Sequence, residues 1–343
     1  MKQSLVLLVS LLCLSGAAAS AAPAIHAPTP EELALAKKYA PLIVLAKDEK
    51  YLPSSIEFFA PNVHFTGGGL SGTITNPQGA LSGDNHLTTV QKMSGPDQIL
   101  PFFHGQDPGK APVPVYVSFY KAASGALNVQ YMTLWPYNWG KNVCLSAAPK
   151  DHCLAKRHQM DNHVGDWEGM TIQLKGDKLV GVRVGAHSAS SIGFTFKAGA
   201  GGKCPNEGGS GDLNKTFPLS CVELRGTHPV VYSAWGSHGI WGTPGDHNYQ
   251  TLPTGERLVD HTSKGIEWHT ERAQVVYDDG KYPFKFKGRW GNLSSEAPHN
   301  KNACKMSPSP KVLCGPLGIP QDEFELNPGP GTPDGNRDWE KLQ

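Results

Sequence analysis

Three side chains of the kinds that bind metal ions lie within one stretch of six residues: His163, Asp166 and Glu168. One imidazole and two carboxylates that converge on a point form an oxygen-rich site for a divalent cation. This donor set favours Mg²⁺, Ca²⁺ or Mn²⁺ over Zn²⁺. The alternative is that they are ordinary polar residues at the start of a strand. Because further candidate ligands occur at suitable places, the sequence predicts the cation site.

The residues after this group predict the strand that positions it. Residues 170–174 alternate between apolar and polar side chains, which is the period of a half-buried β-strand. On such a strand Asp166 and Glu168 are two residues apart and project from the same face. Gly165 gives the chain a point at which to turn, so that His163 can come back over the two carboxylates.

Three more candidates stand at the ends of predicted strands: Asn138, His187 and His238. Neighbouring strand ends lie about 5 Å apart at one edge of a sheet, so side chains there can share a site. We expect Asn138 to complete the metal ligands, and His187 and His238 to contact the bound ligand. If both histidines bind the metal directly, zinc becomes an alternative. If the protein is an enzyme, they are its candidate general bases.

Tryptophans near those strand ends could contact a ligand that the cation holds. Trp139, Trp235 and Trp241 are close to the candidate ligands in sequence. Indole rings exposed at the sheet edge could stack on sugar rings or enter a membrane interface. The alternative for each ring is a place in the hydrophobic core.

The elements around the site predict a mainly β protein. Short alternating or apolar runs indicate strands over 42–45, 113–120, 126–135, 178–186, 229–235 and 273–277. Gly176-Asp177 predicts a hairpin turn, whereas 136–140 and 259–262 are expected to be turns. Short helices are expected near 29–40 and 56–59. Many short strands with long, turn-rich connections favour a β-sandwich.

The length and composition of the chain limit the classes of protein to which it can belong. The chain has 343 residues, and no linker or repeat divides residues 22–343, so we expect one domain. Its 31 basic and 30 acidic residues balance, which gives no basic excess of the kind that binds nucleic acid. Residues 321–343 are rich in Pro, Gly and acidic side chains, a composition typical of partly disordered segments.

The N-terminus predicts a secreted protein. Lys2 precedes an apolar run from Leu5 to Leu14, and Ala19-Ser20-Ala21 offers a small-x-small cleavage site. Residues 1–21 therefore resemble a secretory signal peptide. No later stretch approaches about 20 apolar residues, so no transmembrane segment is expected.

The cysteines agree with export, because disulfides persist in oxidising compartments. Of the 7 cysteines, Cys13 leaves with the signal peptide. The others form three local pairs in sequence, and we favour these among the roughly fifteen pairings that six cysteines allow: Cys144–Cys153, Cys204–Cys221 and Cys304–Cys314. Each pair would close a surface loop. N-glycosylation sequons begin at Asn214 and Asn292.

Several segments, in order along the chain, resemble the vacuolar protein sorting-associated protein 62 family. They include Tyr39-Ala-Pro-Leu-Ile-Val44, Tyr51-Leu-Pro-Ser-Ser-Ile-Glu57, His163-Val-Gly-Asp-Trp-Glu168, Tyr232-Ser-Ala-Trp-Gly-Ser-His238, Asp260-His-Thr262 and Gly288-Arg-Trp-Gly291. The resemblance spans most of residues 39–320. It implies membership of that family, whose name suggests trafficking, whereas the signal peptide and cysteines indicate secretion.

The His-x-x-Asp-Trp-Glu spacing is similar to part of the heptapeptide of the necrosis-inducing NLP cytolysins. Those are secreted β-sandwiches whose divalent cation, at one edge, engages the sugar head group of a membrane sphingolipid. The resemblance implies that His163, Asp166 and Glu168 are ligands. Asn138 stands where that family has an aspartate, and Val164-Gly165 replaces its Arg-His, so the site here is less charged.

Three functions follow from the predicted cation site. The favoured one is a secreted, cation-dependent binding protein that acts on a membrane lipid head group or glycan, with cytolytic or toxin-like action as one form. The alternative is a metal-dependent hydrolase of phosphoester or ester bonds. The sequence lacks Gly-x-Ser-x-Gly and His-Glu-x-x-His, which favours binding over catalysis. In the third, the cation has only a structural role and stabilises the conformation of loops.

Overall fold

The protein is mainly β, with several sheets and two short α-helices in its described part. The computed structural model describes residues 26–74, 76–78, 84–95, 98–144, 157–187, 192–206, 213–252, 255–273, 275–277, 284, 286 and 288–292. The helices are α1 (Pro30–Lys38) and α2 (Ile56–Phe59), and 3₁₀ turns span Ala60–Asn62, Pro101–His104, Leu219–Cys221 and Thr270–Arg272. Within these ranges no helix is both long and apolar enough to cross a membrane.

The strands are numbered in chain order. They are β1 Leu42–Val44, β2 Val63–Thr66, β3 Ser71–Thr73, β4 Asn76–Gln78, β5 His86–Thr89, β6 Val115–Lys121, β7 Leu127–Asn138, β8 Lys141–Cys144, β9 Arg157–Met160, β10 His163–Lys175, β11 Lys178–Ala186, β12 Ile192–Lys197, β13 Thr216–Pro218, β14 Leu224–Arg225, β15 His228–Ser233, β16 Ile240–Trp241, β17 Gly245–Thr251, β18 Arg257–Thr262, β19 Glu267–His269 and β20 Val275–Tyr277.

Two sheets contain the strands that position the site. The larger has seven strands in the order β13-β12-β11-β10-β7-β6-β20, and the smaller has β14-β15-β1-β19 with β16 paired to β15. Strands β7, β10 and β11 are antiparallel neighbours. Consequently the end of β7, the beginning of β10 and the end of β11 meet at the same edge of the larger sheet.

The main hydrophobic core contains side chains from both of these sheets. One cluster of buried side chains has members from both, including Val129, Ile172, Val182, Ile43, Val231 and Trp268. A second cluster covers part of the opposite face of the larger sheet, with members that include Leu134, Trp167, Phe59, Phe103 and Trp290. The site edge therefore adjoins two separate apolar clusters.

Strand β10 is buried on both faces, so the prediction that it would be half-buried is wrong. Thr171 and Gln173 lie on its polar face and are buried. Gln173 Nε2 donates to Asn128 Oδ1 on β7 at 3.1 Å. Alternating polarity identified the strand and its apolar face, but it does not reveal whether the polar face is covered as well.

Local signals located both helices and several of the longer strands. Thr29 begins α1 with the expected capping box: its hydroxyl accepts from the backbone N–H of Glu32, whose carboxylate accepts from the N–H of Thr29. The strand predictions match β1, β6, β7, β11, β15 and β20. Two turn predictions are wrong. Residues 136–138 continue β7, and residues 259–262 belong to β18.

One of the three predicted disulfides is present. Cys204 and Cys221 are bonded, with their Cα atoms 5.3 Å apart. The bond ties the connection after β12 to the 3₁₀ turn that follows β13. The Cys144–Cys153 and Cys304–Cys314 pairs involve side chains outside the described part, as does the predicted disorder of 321–343.

The two sequons differ in accessibility. Asn214 is exposed, whereas Asn292 is buried and exchanges hydrogen bonds with Thr89, and a glycan at either residue stays a prediction. We expect the protein from a eukaryotic secretory host to carry a glycan at Asn214 alone, because a glycan at Asn292 would break those bonds. Mass spectrometry of tryptic peptides checks this. Glycan loss in Asn214→Gln is expected, and an occupied Asn292 would contradict the prediction.

Candidate functional site

The edge at which β7 ends and β10 begins carries the predicted ligands. Asn138, the last residue of β7, is directly opposite His163, the first residue of β10. Asp166 is opposite Trp135 in the same antiparallel register, and Glu168 lies two residues further along β10. The strand pairing therefore gathers the four predicted metal ligands at one end of two neighbouring strands.

Gly165 brings His163 to the side of Asp166. Along a regular strand, residues three apart face opposite sides of the sheet. Gly165 has a φ of +64°, which breaks this alternation. As a result Val164 lies in the same hydrophobic cluster as Trp167, and His163 Nε2 lies 4.0 Å from Asp166 Oδ1.

Asp166 stands between two imidazoles. Its Oδ2 lies 3.0 Å from Nδ1 of His238, and its Oδ1 faces Nε2 of His163. His163 Nδ1 is 2.8 Å from the carbonyl oxygen of Gly165. Because a carbonyl oxygen can only accept, Nδ1 carries the proton, and Nε2 of the neutral ring has a free lone pair. Two lone-pair-bearing atoms therefore face each other across a gap too long for a hydrogen bond.

His238 contacts Asp166 from inside the protein, and its contact with a ligand stays a prediction. Its side chain is 0% exposed and stacks on the indole of Trp135, with ring centroids 4.0 Å apart. Nε2 is buried and has no hydrogen-bond partner among the residues that the structure describes. Its backbone has a φ of +59°, a conformation that costs about 1–2 kcal/mol in a non-glycine residue. The ring is closed off from solvent in this structure, and its role as a general base stays a prediction.

Asn138 and Glu168 are buried at the same edge but are not gathered into a metal cage. Asn138 Oδ1 accepts from the N–H of Gly140 at 2.6 Å. Within the described ranges, no group of three or more His, Cys, Asp or Glu side chains could hold a metal ion. The structure therefore brings His163 and Asp166 together, and does not assemble Glu168 with them into such a group.

A second polar centre, absent from the sequence predictions, is built around Asp260. Its Oδ1 accepts from Lys141 Nζ at 2.5 Å and from Ser237 Oγ at 2.7 Å. Its Oδ2 accepts from Trp241 Nε1 at 2.8 Å and from His187 Nε2 at 2.9 Å. The carboxylate is fully buried and receives four donors, so both of its charge-bearing atoms are satisfied.

The charges around Asp260 keep it ionised. Burial alone would raise the pKa of this carboxyl, but the charges of His187 and Lys141 and the hydrogen bonds they donate lower it well below its usual range. His187 is partly exposed, has a φ of +54° and stacks on Tyr249 with ring centroids 3.8 Å apart. Packing and the ion pair therefore fix its ring, and its contact with a ligand stays a prediction.

The two centres are joined through neighbouring residues of one loop. Ser237 binds Asp260, and the next residue, His238, binds Asp166. Lys141 Nζ also donates to Ser237 Oγ at 2.8 Å. A continuous series of contacts thus runs from Asp260 to the gap beside His163.

The tryptophans divide between surface and core. Trp241 is 0% exposed, donates to Asp260 and belongs to the core, and its contact with a ligand stays a prediction. Trp139 and Trp235 are partly exposed and meet edge to face, with ring centroids 5.0 Å apart. The N–H of Trp139 donates to the carbonyl of Gly236 at 2.8 Å, which fixes the pair beside the site.

Sequence reasoning missed Lys141, Ser237 and Asp260. A signal existed for Asp260, because Leu258, Asp260 and Thr262 occupy alternate positions of β18 and are all buried. Three adjacent polar residues, Asp260, His261 and Thr262, made this segment resemble a turn instead. For Lys141 and Ser237 no local pattern marks the role, since both depend on contacts with distant segments.

No known protein family, no curated protein and no solved structure matches the chain. Its function must therefore be derived from the geometry of the site.

Proposed function

We propose that this is a secreted protein that binds a membrane lipid head group or a glycan through a divalent cation held at His163 and Asp166. One observation supports it most. His163 Nε2 and Asp166 Oδ1 face each other at 4.0 Å, while the other polar atom of each side chain is engaged by Gly165 or His238. Metal-binding histidines and carboxylates characteristically have such outer hydrogen bonds, which orient the ligand atoms.

The cation we propose is Mg²⁺, Ca²⁺ or Mn²⁺ rather than Zn²⁺, because the carboxylate of Asp166 is a hard oxygen donor and the ligand would add further oxygen atoms. With His163 and Asp166 as the paired side chains, coordination positions of the cation are left open. Hydroxyl or phosphate oxygens of a ligand can fill such positions. The cation would thus link the protein to its ligand, and binding would require both.

The surroundings of the site suit a sugar ring or head group. Trp139 directly follows Asn138, and its partly exposed indole packs against Trp235. Indole faces next to polar groups favour contacts with the apolar faces of sugars. In this proposal the two sheets are the layers of a β-sandwich with disulfide-stapled loops. Cytolytic or toxin-like action follows from the resemblance of residues 163–168 to the NLP cytolysins.

Asp166→Asn is expected to weaken divalent-cation binding about 100-fold, because it removes the ligand charge while keeping the side-chain shape. Titration calorimetry with Ca²⁺, Mg²⁺ and Mn²⁺ measures the affinity. Co-sedimentation with glycosphingolipid vesicles, with and without chelator, measures ligand binding. Phosphatidylcholine vesicles and a glycan array separate lipid from sugar recognition.

The matched control is Asp246→Asn, which alters an exposed carboxylate that pairs with His261 at 2.7 Å. This variant should bind cation and vesicles as the wild type does. Equal cation affinity in all three proteins, or ligand binding that survives chelation, would rule out the proposed function.

A further inference from the structure

We propose that Lys141, Ser237 and Asp260 are positioning residues of the cation site. They hold His238 against Asp166 and so determine which carboxylate oxygen faces His163. The expected effect on cation affinity rests on the proposed function. The positioning of His238 by Ser237 can be measured without a cation.

The argument starts from the loop that carries His238. Its backbone is held from several sides: the N–H of Trp235 donates to the carbonyl of His261 at 2.9 Å, and that of Gly236 donates to Glu49 Oε2 at 2.7 Å. These bonds fix the first part of the loop. Beyond Gly236, the N–H of His238 donates to the carbonyl of Ala234 at 3.0 Å, and its carbonyl accepts from Ser233 Oγ at 3.3 Å. The side chain of Ser237 adds contacts with Asp260 and Lys141, which tie this turn to the second polar centre.

His238 depends on such support because its conformation is unfavourable by itself. A positive φ in a residue with a Cβ must be compensated by surrounding contacts. The stacking on Trp135 sets the plane of the ring, and the Nδ1 contact with Asp166 sets its rotation. Ser237 is joined to His238 by a peptide bond, and its side chain is held by the ion pair of Lys141 and Asp260. It therefore limits how far the backbone of His238 can relax.

Asp166 in turn depends on His238. With Oδ2 bound to Nδ1 of His238, the carboxylate cannot rotate freely, and Oδ1 is presented to His163. A carboxylate freed from this contact would have two equivalent oxygens and a wider range of rotamers. The Asp260 centre therefore acts on the cation only through Ser237, His238 and Asp166.

The partners of Asp260 come from different segments of the chain, so the positioning role of Ser237 can be distinguished from a general contribution to the stability of the fold. Lys141 belongs to β8, Asp260 to β18, and His187 follows β11. Among the partners of Asp260, Ser237 alone is adjacent in sequence to a residue that contacts Asp166. Removing its hydroxyl leaves the Lys141–Asp260 and His187–Asp260 pairs in place, so it interrupts the link to the site without dissolving the network.

The test compares Ser237→Ala with Thr262→Val. Thr262, the last residue of β18, is a matched control: its hydroxyl is also buried, but its partners are the carbonyls of Thr243 and Gly245 and Nε2 of His247. Ser237→Ala is expected to weaken Ca²⁺ or Mn²⁺ binding about 10-fold, the lower end of the effect of outer hydrogen-bond partners. Thr262→Val should bind the cation as the wild type does. If Ser237→Ala does not fold, Ser237→Gly replaces it, because it also lacks the hydroxyl and leaves the Lys141–Asp260 pair in place.

A second measurement does not need the cation. In ¹⁵N-resolved spectra of the imidazole rings, the wild type should show a slowly exchanging Nδ1 proton of His238, retained in Thr262→Val and lost or rapidly exchanging in Ser237→Ala. Retention of this signal in Ser237→Ala, or cation affinity equal to that of the wild type, would overturn the inference. If the wild type binds no cation, the proposed function fails, and the spectra alone decide whether Ser237 positions His238.

Discussion

Asp260→Ala is expected to lower the free energy of unfolding by about 3–5 kcal/mol, because it leaves a buried cation without its counter-charge. Lys141 Nζ would lose the carboxylate at 2.5 Å, and Trp241 Nε1 and His187 Nε2 would lose their acceptor. Urea denaturation at neutral pH measures the change. Asp246→Ala removes a carboxylate from an exposed pair and should alter stability by less than about 0.5 kcal/mol.

The loss of stability in Asp260→Ala should depend on pH in a defined direction. The pKa of Asp260 is lower in the folded state than in the unfolded chain, where it is about 3.9. Its contribution is therefore fully present above the unfolded pKa and is lost as the pH falls through the folded pKa. The stability difference between the wild type and Asp260→Ala should be largest at neutral pH and should shrink below about pH 4. A difference that stays constant into strong acid would show that Asp260 is not held ionised by its partners.

Gly165→Ala is expected to destabilise the protein by about 3 kcal/mol, the sum of a left-handed backbone penalty and steric overlap. A Cβ at this position would lie 1.9 Å from the carbonyl oxygen of Trp290, which is backbone and cannot rotate away. Relief of the overlap requires the backbone at Gly165 to change its conformation, and because Gly165 lies between His163 and Asp166, that change would also separate their side chains. Cation affinity should therefore fall together with the unfolding midpoint in urea.

Gly176→Ala is the matched control for Gly165→Ala. Its φ of +62° is nearly the same, but a Cβ there would have no atom within 4 Å. The expected cost is about 1 kcal/mol from the backbone alone. If the two variants were equally stable, the close approach of Trp290 to Gly165 would not contribute to holding the site.

The short-range parts of the fold could be predicted because their causes are local. The capping box of Thr29 and the Gly176-Asp177 hairpin each depend on residues within four positions of one another. The same holds for the grouping of His163 with Asp166, since Gly165 between them determines the turn of the chain. The Cys204–Cys221 bond was also predictable from spacing, because a short connection keeps its ends close.

The remainder of the site depends on contacts between distant segments. Asp260 meets Lys141 across 119 positions, and His238 meets Asp166 across 72. No period or spacing in the sequence encodes which strand ends become neighbours. The misassigned turn at 259–262 has the same origin, because Asp260 is acceptable inside β18 only when four donors from other segments surround it.

The outer strands of the seven-stranded sheet have a consequence for behaviour at high concentration. Both β13 and β20 have three residues and pair in parallel with their neighbours. Pro218, at the end of β13, has no N–H to offer, and Cys221 tethers the following turn to Cys204. Short borders of this kind give a neighbouring molecule little backbone to pair with. Along these two borders, the long central strands are therefore shielded from adding further chains, which favours a protein that stays dispersed rather than forming fibrils.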